Sequence, residues 1–363
     1  MSLLDATLEA ILELARWAPS GDNTQPWRFE LVDARRVVVH GFDTRSHVVY
    51  DLDGHPSQIS IGALLENMAI AASTYRLAMQ ARRRLHMPDD QPTLDVSFTP
   101  DPAIVADPLA DAIRVRSVQR RALSTRALSV AEKAALKAAL PPGYQVLWLE
   151  GTQQRMAMAK LLFRNARLRL TLPEAYQVHR QVIEWNARYS NDRIPDQALG
   201  MDAISASIMR WVMHSWRRVD FFNTWLAGTL APRVQMDLLP ALACAAHVAL
   251  LAAAAPYSID DYLAAGRAMQ RFWLTATRLG LQMQPEMTPL VFSRYVRERR
   301  SFSSTPGMQE QAGALAQQAA TLIGQGAFER TVFLGRIGAG PPPYARSLRL
   351  PLAQLILPPL GRD

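Results

Sequence analysis

The chain has 363 residues, 49% of them hydrophobic and 20% charged, which is ample material for a packed core and excludes general disorder. Its formal net charge is +8, and nearly all of its basic residues are arginine. This charge is compatible with binding nucleic acid, anionic lipid or a phosphorylated ligand, but it does not indicate which of them binds. No zinc-finger spacing, aromatic RNA-binding signature or long basic block accompanies the charge, so we expect no nucleic-acid partner.

The first residues are predicted to be helical. Residues 2–17 form an amphipathic pattern, with Ser2 and Asp5 placed to cap the start of the helix. Residues 28–40 alternate before a run of valines, which predicts two strands joined at Asp33. The rest of the first half is predicted to contain a helix at 57–80 and a strand at 93–99.

A loop with two Asp-Pro pairs, at 101–108, marks a soft boundary between an N-terminal half (1–110) and a C-terminal half (111–363). The predicted helices of the second half are 107–116, 129–139, 259–279 and 308–324, and its predicted strands are 144–149 and 330–337. A helical, aromatic-rich insertion is predicted at about 165–240. Residues 238–256 are predicted to be a buried helix, because alanine dominates the run and a membrane span would need stronger hydrophobicity.

The cysteine count and the N-terminus bear on the compartment. Cys244 is the only cysteine, which excludes an intramolecular disulfide and any multi-cysteine metal site. That count agrees with a reducing cytoplasm. The N-terminal segment lacks the basic start and the cleavage site of a signal peptide. We therefore expect a cytoplasmic protein without a metal ion and without a membrane partner.

Several common catalytic motifs are absent from the sequence. It contains no GxGxxG after a strand, no P-loop, no HExxH and no GxSxG nucleophile elbow. A dinucleotide-binding Rossmann domain and a cysteine or metal mechanism are accordingly not expected.

Four segments carry candidate functional residues, and each has a structural alternative. The segment 18–27, APSGDNTQPW, is either a plain turn after a helix or a rigid loop whose polar groups bind the edge of a heterocycle. The arginines of 114–121 form either a solvated face or a phosphate cradle, since the guanidinium fork matches phosphate oxygens. The segment 280–286 reads as a helix end and a loop, and 346–349 as a basic tail.

Together these segments resemble the FMN-dependent nitroreductase superfamily. APSGDNTQPWRF is similar to its APSxxNxQPW segment, and Arg116-Ser117 is similar to its Arg-Ser/Thr phosphate motif. In particular, the chain resembles a divergent branch that includes mycobacterial dormancy-associated nitroreductase-like proteins and nitroreductase domains associated with molybdopterin biosynthesis. The resemblance implies an α+β fold in which helices cover a central, mostly antiparallel sheet.

The resemblance also implies which residues bind the cofactor, FMN. On this basis the loop 20–25 contacts the flavin, Arg116 and Arg349 hold the phosphate, and Arg120 supplies charge near flavin N1/O2. The implied cofactor-binding residues are Ser20, Asn23, Gln25, Arg116, Ser117, Gln119, Arg120, Gln284, Pro285, Met287, Thr288 and Arg349. No side chain is expected to be catalytic, because flavin N5 carries the chemistry.

The order of the segments differs from that of common nitroreductases, where the Arg-Ser motif precedes the APS segment. Here it follows about a hundred residues later, which predicts two fused nitroreductase-like halves acting as an intramolecular pseudo-dimer, or else a homodimer. The expected function is electron transfer between NAD(P)H, or another donor, and a small organic acceptor. The alternative is a non-catalytic protein that sequesters FMN, with segment 165–240 as its lid.

Overall fold

The computed structural model describes residues 5–225 and 228–358. Its strands are β1 (Trp27–Asp33), β2 (Arg36–Gly41), β3 (Leu77–Arg83), β4 (Thr93–Pro100), β5 (Gln145–Glu150), β6 (Ile183–Glu184), β7 (Tyr189–Ser190), β8 (Ile194–Pro195), β9 (Ala246–Leu251), β10 (Leu281–Pro285), β11 (Thr331–Ala339) and β12 (Arg346–Ser347). Its helices are α1 (Ala6–Ala15), α2 (His55–Ser73), α3 (Ala110–Ile113), α4 (Val130–Ala138), α5 (Thr152–Thr171), α6 (Pro173–Val182), α7 (Ala203–Val212), α8 (Trp216–Trp225), α9 (Leu230–Arg233), α10 (Leu239–Leu242), α11 (Ile259–Arg278), α12 (Thr288–Arg297), α13 (Met308–Ile323), α14 (Gln325–Glu329) and α15 (Leu352–Leu355). The predicted α+β class is confirmed.

Two four-stranded antiparallel sheets form the framework. The first has the order β1-β2-β4-β3 and the second the order β10-β11-β9-β5. Each sheet lies within one of the predicted halves. One hydrophobic core nevertheless takes residues from both sheets, including Trp27 and Val96 of the first and Val248 and Ile337 of the second. The division at residue 110 therefore stays a prediction about two intimately packed halves.

Helices α2 and α11 lie in that shared core. α2 is buried along almost its whole length, and α11 buries Tyr262, Phe272 and Trp273. The apolar period of α11 and its capping box, in which Ser258 and Asp261 bond reciprocally, explain why this helix is recognisable from sequence. The beginning of α2 and the middle of α11 position one side of the cavity described below.

The apolar run 238–256 is not a buried helix, so that prediction was wrong. Only Leu239–Leu242 is α-helical, and Ala246–Leu251 forms β9, an inner strand of the second sheet with every residue buried. A strand that is covered on both faces reads as a continuous apolar run, which periodicity cannot distinguish from a buried helix.

Three other boundaries differ from the prediction. Helix α2 ends at Ser73, because Arg76 has a left-handed φ of 55° and Leu77 begins strand β3. The segment expected to be a helix end and loop around Pro285 is instead strand β10, followed by an unpredicted helix, α12. The helix predicted at 107–116 is confined to α3.

Several elements match their predictions. The hairpin β1–β2 and helix α4, with its Ser129–Glu132 capping box, form where expected. Asp5 caps α1 by accepting from the backbone N–H of Thr7, whereas Ser2 lies outside the described residues. In the described ranges, no helix combines the length and the apolar character that crossing a membrane requires.

Candidate functional site

A cavity of about 380 Å³ lies between the two predicted halves, within the size range of small-molecule sites. The loop after α1 and the start of α2 border it from the first half. The turn from β10 into α12 and the segment α5–α10 border it from the second. Its lining residues are Pro19, Ser20, Gly21, Asp22, Tyr50, Pro56, Ile59, Ser60, Val118, Arg120, Leu162, Arg169, Leu170, His179, Val182, Ile183, Ile194, Leu199, Met209, Met236, Asp237, Met269, Trp273, Gln284, Pro285, Glu286, Met287, Thr288, Val291, Phe333 and Arg336.

Half of the twelve sequence-predicted site residues line this cavity, and half do not. Those that line it are Ser20, Arg120, Gln284, Pro285, Met287 and Thr288. Those outside the lining are Asn23, Gln25, Arg116, Ser117, Gln119 and Arg349.

The loop 18–27 is held in an unusual backbone conformation. Asp22, Asn23 and Gln25 all have positive φ, at 51°, 64° and 53°, which non-glycine residues adopt only when their surroundings enforce it. Gln25 enforces it, since its backbone N–H donates to the Ser20 hydroxyl and its side-chain oxygen accepts from the Leu350 N–H. The Asn23 amide donates to the carbonyls of Asn191 and Arg193. Asn23 and Gln25 thus fix the loop that brings Ser20 to the cavity.

The stretch 116–120 is extended, and its alternation decides which residues face the cavity. Val118 forms a parallel bridge with Met283, so Val118 and Arg120 point into the cavity. Gln119 points the other way and donates its side-chain amide to the Pro341 carbonyl. Ser117 lies on the same side as Gln119, away from the cavity lining.

Of the arginines that line the cavity, Arg120 has the fewest hydrogen bonds and ion pairs within the described chain. Its guanidinium donates to the Ala198 carbonyl at 3.2 Å, and no carboxylate of the described residues lies within 4 Å of it. Burial lowers the pKa of Arg120 to about 10, while the charge of Asp22 opposes that shift. Arg120 therefore stays protonated at neutral pH and presents positive charge to an occupant.

A buried ion cluster supports the turn from β10 into α12. Glu286 accepts from His247 Nδ1 at 2.7 Å and from Arg336 Nη1 at 3.2 Å, while His247 Nε2 donates to the Ala241 carbonyl. Burial opposes the charged imidazole, but the Glu286 carboxylate and the Cys244 sulfur together outweigh burial and raise the pKa of His247 to about 10. The cluster carries two positive groups for one carboxylate, so the cluster itself is net positive.

A second group of polar residues lies where the segment α5–α10 meets the loop before α2. The Tyr50 hydroxyl is 3.0 Å from His179 Nε2, and Arg169 pairs with Asp237 at 3.3 Å. Burial, assisted by the charge of Arg169, lowers the pKa of His179 to about 3, so the imidazole is neutral at pH 7. Burial also raises the pKa of Asp22.

Sequence reasoning missed Tyr50, His179 and the His247–Glu286 pair as site residues. Tyr50 and His179 are 129 positions apart in the sequence and meet only through tertiary packing. No local sequence pattern therefore predicts their contact. His247 lies within the apolar run that was assigned to a helix.

Arg116 and Arg349 lie together behind the cavity wall. Arg116 donates to the Trp17 carbonyl and its guanidinium lies 4.6 Å from the ring centre of Trp273, a residue that lines the cavity. Arg349 donates to the Ala18 carbonyl. Neither guanidinium has a carboxylate within 4 Å in the described part of the chain. Burial and neighbouring positive charge lower the pKa of Arg116, and they lower that of Arg349 to about 9.

The loop 18–27 lies in a segment that matches a known protein family. The model of the family described as "Nitroreductase family" matches residues 2–55, which contain the loop 18–27. The chain is similar to the nitroreductase family. The resemblance predicted from that loop is thereby confirmed.

The chain is also similar to a longer protein. The uncharacterized protein MT1398 of Mycobacterium tuberculosis is 23% identical over 348 residues, which cover 94% of this chain and 47% of that protein. The chain thus spans about half the length of this curated relative. A solved nitroreductase-like family protein from Bacillus cereus aligns at 15% identity with a TM-score of 0.34, over 70% of this chain and 97% of its own. Among the described residues, no group of three potential ligands is arranged to hold a metal ion.

Proposed function

We propose that the chain binds FMN noncovalently in this cavity and transfers electrons between NAD(P)H, or another donor, and a small organic acceptor. One observation carries the proposal. Ser20, from the family-matched segment, shares a cavity with the turn Pro285–Thr288 and with Arg120, a cation that has no carboxylate partner within 4 Å among the described residues.

Unsatisfied polar atoms on the cavity residues fit the flavin ring. The side-chain oxygen of Gln284 and Nε of Arg336 are buried and have no hydrogen-bond partner within the described chain. Such atoms are rare in folded proteins, because an unpaired buried donor or acceptor is destabilising. The flavin ring offers both an N–H donor and carbonyl acceptors, so its edge matches one orphaned acceptor and one orphaned donor.

FMN, when bound, supplies hydride chemistry at N5, and its reduction places negative charge at N1/O2. The chain's own part is to hold the ring and balance that charge. Arg120 stays protonated and faces the cavity, and Arg336 adds a second buried cation. Ser20 and the backbone of Pro285–Thr288 orient the ring, and the apolar side chains of the helical segment exclude water.

Arg116 and Arg349 are the proposed phosphate partners. Two buried guanidinium groups without carboxylates within 4 Å repel each other, and a bound dianion relieves that repulsion. Arg116 lies against the ring of Trp273, so these two arginines would hold the phosphate beside that residue. The cavity cations Arg120, Arg169 and Arg336 are the competing phosphate partners.

A single chain supplies the whole proposed site. The first half contributes Ser20 and Ile59, and the second half contributes Arg120 and the turn Pro285–Thr288. This arrangement supports an intramolecular pseudo-dimer in which the two halves build one flavin site, and a homodimer is the alternative.

FMN sequestration without turnover remains the second candidate function, and one observation favours it. The segment from α5 to α10 supplies much of the cavity lining, including Leu162, His179, Leu199, Met209 and Met236. A wall of that extent can close the flavin off from a nicotinamide, as sequestration requires.

Anaerobic mixing separates the two functions. The FMN-loaded protein should lose its visible flavin absorbance with NADH or NADPH and regain it with a quinone or nitroarene. Dithionite serves as the control, because a small reductant reaches a covered flavin. Bleaching by dithionite, with no reduction by NAD(P)H or by reduced electron-transfer proteins, would support the sequestering function instead.

A further inference from the structure

Helix α7 exposes an apolar face that the rest of the chain does not cover. Ile204, Ile208 and Trp211 lie at spacings of four and three, hence on one side of the helix, and Ile204 is 75% exposed. None of the ten residues of α7, all of them described, is fully buried. A helix with this composition normally turns such a face toward a core.

Helix α8 continues the same surface. Phe221 and Trp225 are four residues apart and both exposed, Trp225 by 73%. The two helices touch, since the ring centres of Trp211 and Phe222 are 5.8 Å apart. On α8, Phe222 also contacts Phe221, with ring centres 6.1 Å apart. We call Ile204, Ile208, Trp211, Phe221 and Trp225 the aromatic face. Contiguous exposed apolar surface of this kind marks an interaction site.

The charges around the aromatic face are mainly positive. Residues 202–225 contain three arginines and two aspartates, a net charge of +1. Arg210 and Arg217 are exposed, and the Arg218 guanidinium lies 4.5 Å from the ring centre of Trp211. Tryptophan flanked by arginine is typical of helices that lie in a membrane interface, where the ring occupies the headgroup level and the cation meets lipid phosphates.

We propose that α7 and α8 dock this aromatic face onto an anionic lipid surface and lie in its plane. A second copy of the chain fits the face less well, because a two-fold contact sets each patch against itself and brings the same arginines together. An anionic leaflet attracts those arginines instead. The sequence alone predicted no membrane partner, and the exposed face is the observation that changes this expectation.

The docking surface adjoins the cavity. Met209, on α7 between Ile208 and Trp211, contributes to the cavity lining. On the proposed function, docking therefore presents the flavin site to acceptors dissolved in the lipid. The docking itself does not depend on bound flavin, so its test is separate from the test of that function.

Vesicle co-sedimentation of the full chain tests the proposal. We expect binding to phosphatidylcholine vesicles containing about one-third phosphatidylglycerol, weakening as salt is added, and little binding to phosphatidylcholine alone. Ile204→Ser and Trp225→Ser should each weaken binding by about tenfold, because each removes a large apolar side chain from the interface. Leu85→Ser is the matched control, since Leu85 is 77% exposed but lies outside the aromatic face.

Three results would overturn the proposal. The wild-type chain fails to sediment with anionic vesicles, or Ile204→Ser and Trp225→Ser bind as tightly as Leu85→Ser. The third is a concentration-dependent dimer, seen by light scattering, that both serine variants abolish, since a second copy then occupies the face. Circular dichroism of each variant verifies the fold, which substitutions at such exposed positions leave intact.

Discussion

Gly62 of α2 and Gly266 of α11 meet where the two helices cross, and the crossing leaves no room for a side chain on either. A Cβ on Gly62 would lie 3.0 Å from the Cα of Gly266, and a Cβ on Gly266 would lie 2.9 Å from the Cα of Gly62. The nearest obstacles are the backbone carbonyls of Leu263 and Ile59, which cannot swing aside as a flexible side chain does. This reciprocal contact joins the two halves that border the cavity.

Gly62→Ala and Gly266→Ala should each lower the free energy of unfolding by about 1–3 kcal/mol or more, because the helices must separate to accept a methyl group. Denaturant unfolding followed by circular dichroism measures the loss. Gly313→Ala is the control within a helix, since its Cβ would find only ordinary contact with Val296 at 3.8 Å. Alanine there should be neutral or slightly stabilising. Equal effects at all three glycines would refute a tight crossing.

Arg349→Ala and Arg116→Ala should weaken FMN binding by about ten- to a hundredfold, equivalent to roughly 1.5–3 kcal/mol for a lost charge-assisted contact. Titration with FMN and with riboflavin, which lacks the phosphate, distinguishes phosphate binding from general damage. The wild-type chain should bind FMN more tightly than riboflavin, and this difference in affinity should largely disappear in both variants.

Arg82→Ala is the control for these two variants, because Arg82 is exposed whereas its neighbour Arg83 pairs with Asp260. An unchanged preference for FMN over riboflavin in Arg116→Ala and Arg349→Ala would show that the phosphate lies elsewhere. Arg120→Ala and Arg169→Ala would then be the next variants to titrate.

The His247–Glu286 pair predicts a decline of stability at alkaline pH. The folded pKa of His247, about 10, exceeds its ordinary value of 6.5, so the folded chain holds a proton that the unfolded chain releases between these values. The contribution of the pair to the free energy of unfolding is therefore complete below about pH 6.5 and is lost as the pH rises toward 10. The lowered pKa of Glu286 keeps its carboxylate charged across this window.

Unfolding free energies of the wild type and of His247→Gln, measured from pH 6 to about pH 10, test this linkage. Their difference should be largest at pH 6 and shrink steadily above about pH 6.5. His86→Gln, at an exposed position, should not change the pH profile. A difference between wild type and His247→Gln that stays constant with pH would mean that His247 is neutral in the folded chain.

How much the sequence reveals depends on whether the signal is local. Helices α4 and α11 carry their own capping boxes, and the hairpin β1–β2 has its own alternation, so all were predicted. Strands β9 and β10 acquire their identity from neighbours in the second sheet, which no local pattern encodes. They were consequently misassigned.

The same distinction holds for the site. Ser20 was found because the family motif is contiguous, and Arg120 because it lies beside the Arg-Ser motif. Tyr50 and His179 were missed because only tertiary packing brings them together. Ser117 and Gln119 belong to the motif but alternate away from the cavity, a consequence of extended backbone that composition does not reveal.

Access to the flavin should depend on Met209 of α7. Met209→Ala shortens a side chain of the helical wall and opens space into which a nicotinamide can move. Reduction by NAD(P)H, followed by stopped-flow absorbance, should be faster than in wild type if this wall limits entry. Met156→Ala is the matched control, because Met156 lies on α5 away from the cavity. Trp216 and Trp225 do not line the cavity, so trimming them should leave the rate unchanged. Unchanged reduction in Met209→Ala would show that this wall does not gate the flavin.

FMN titration of the purified chain tests the central claim most directly. Heat-released cofactor should run as FMN in chromatography, and cofactor-stripped protein should take up FMN with one equivalent per chain and a shifted visible spectrum. A protein that is colourless as purified and that leaves the absorbance and fluorescence of added FMN unchanged would contradict the account.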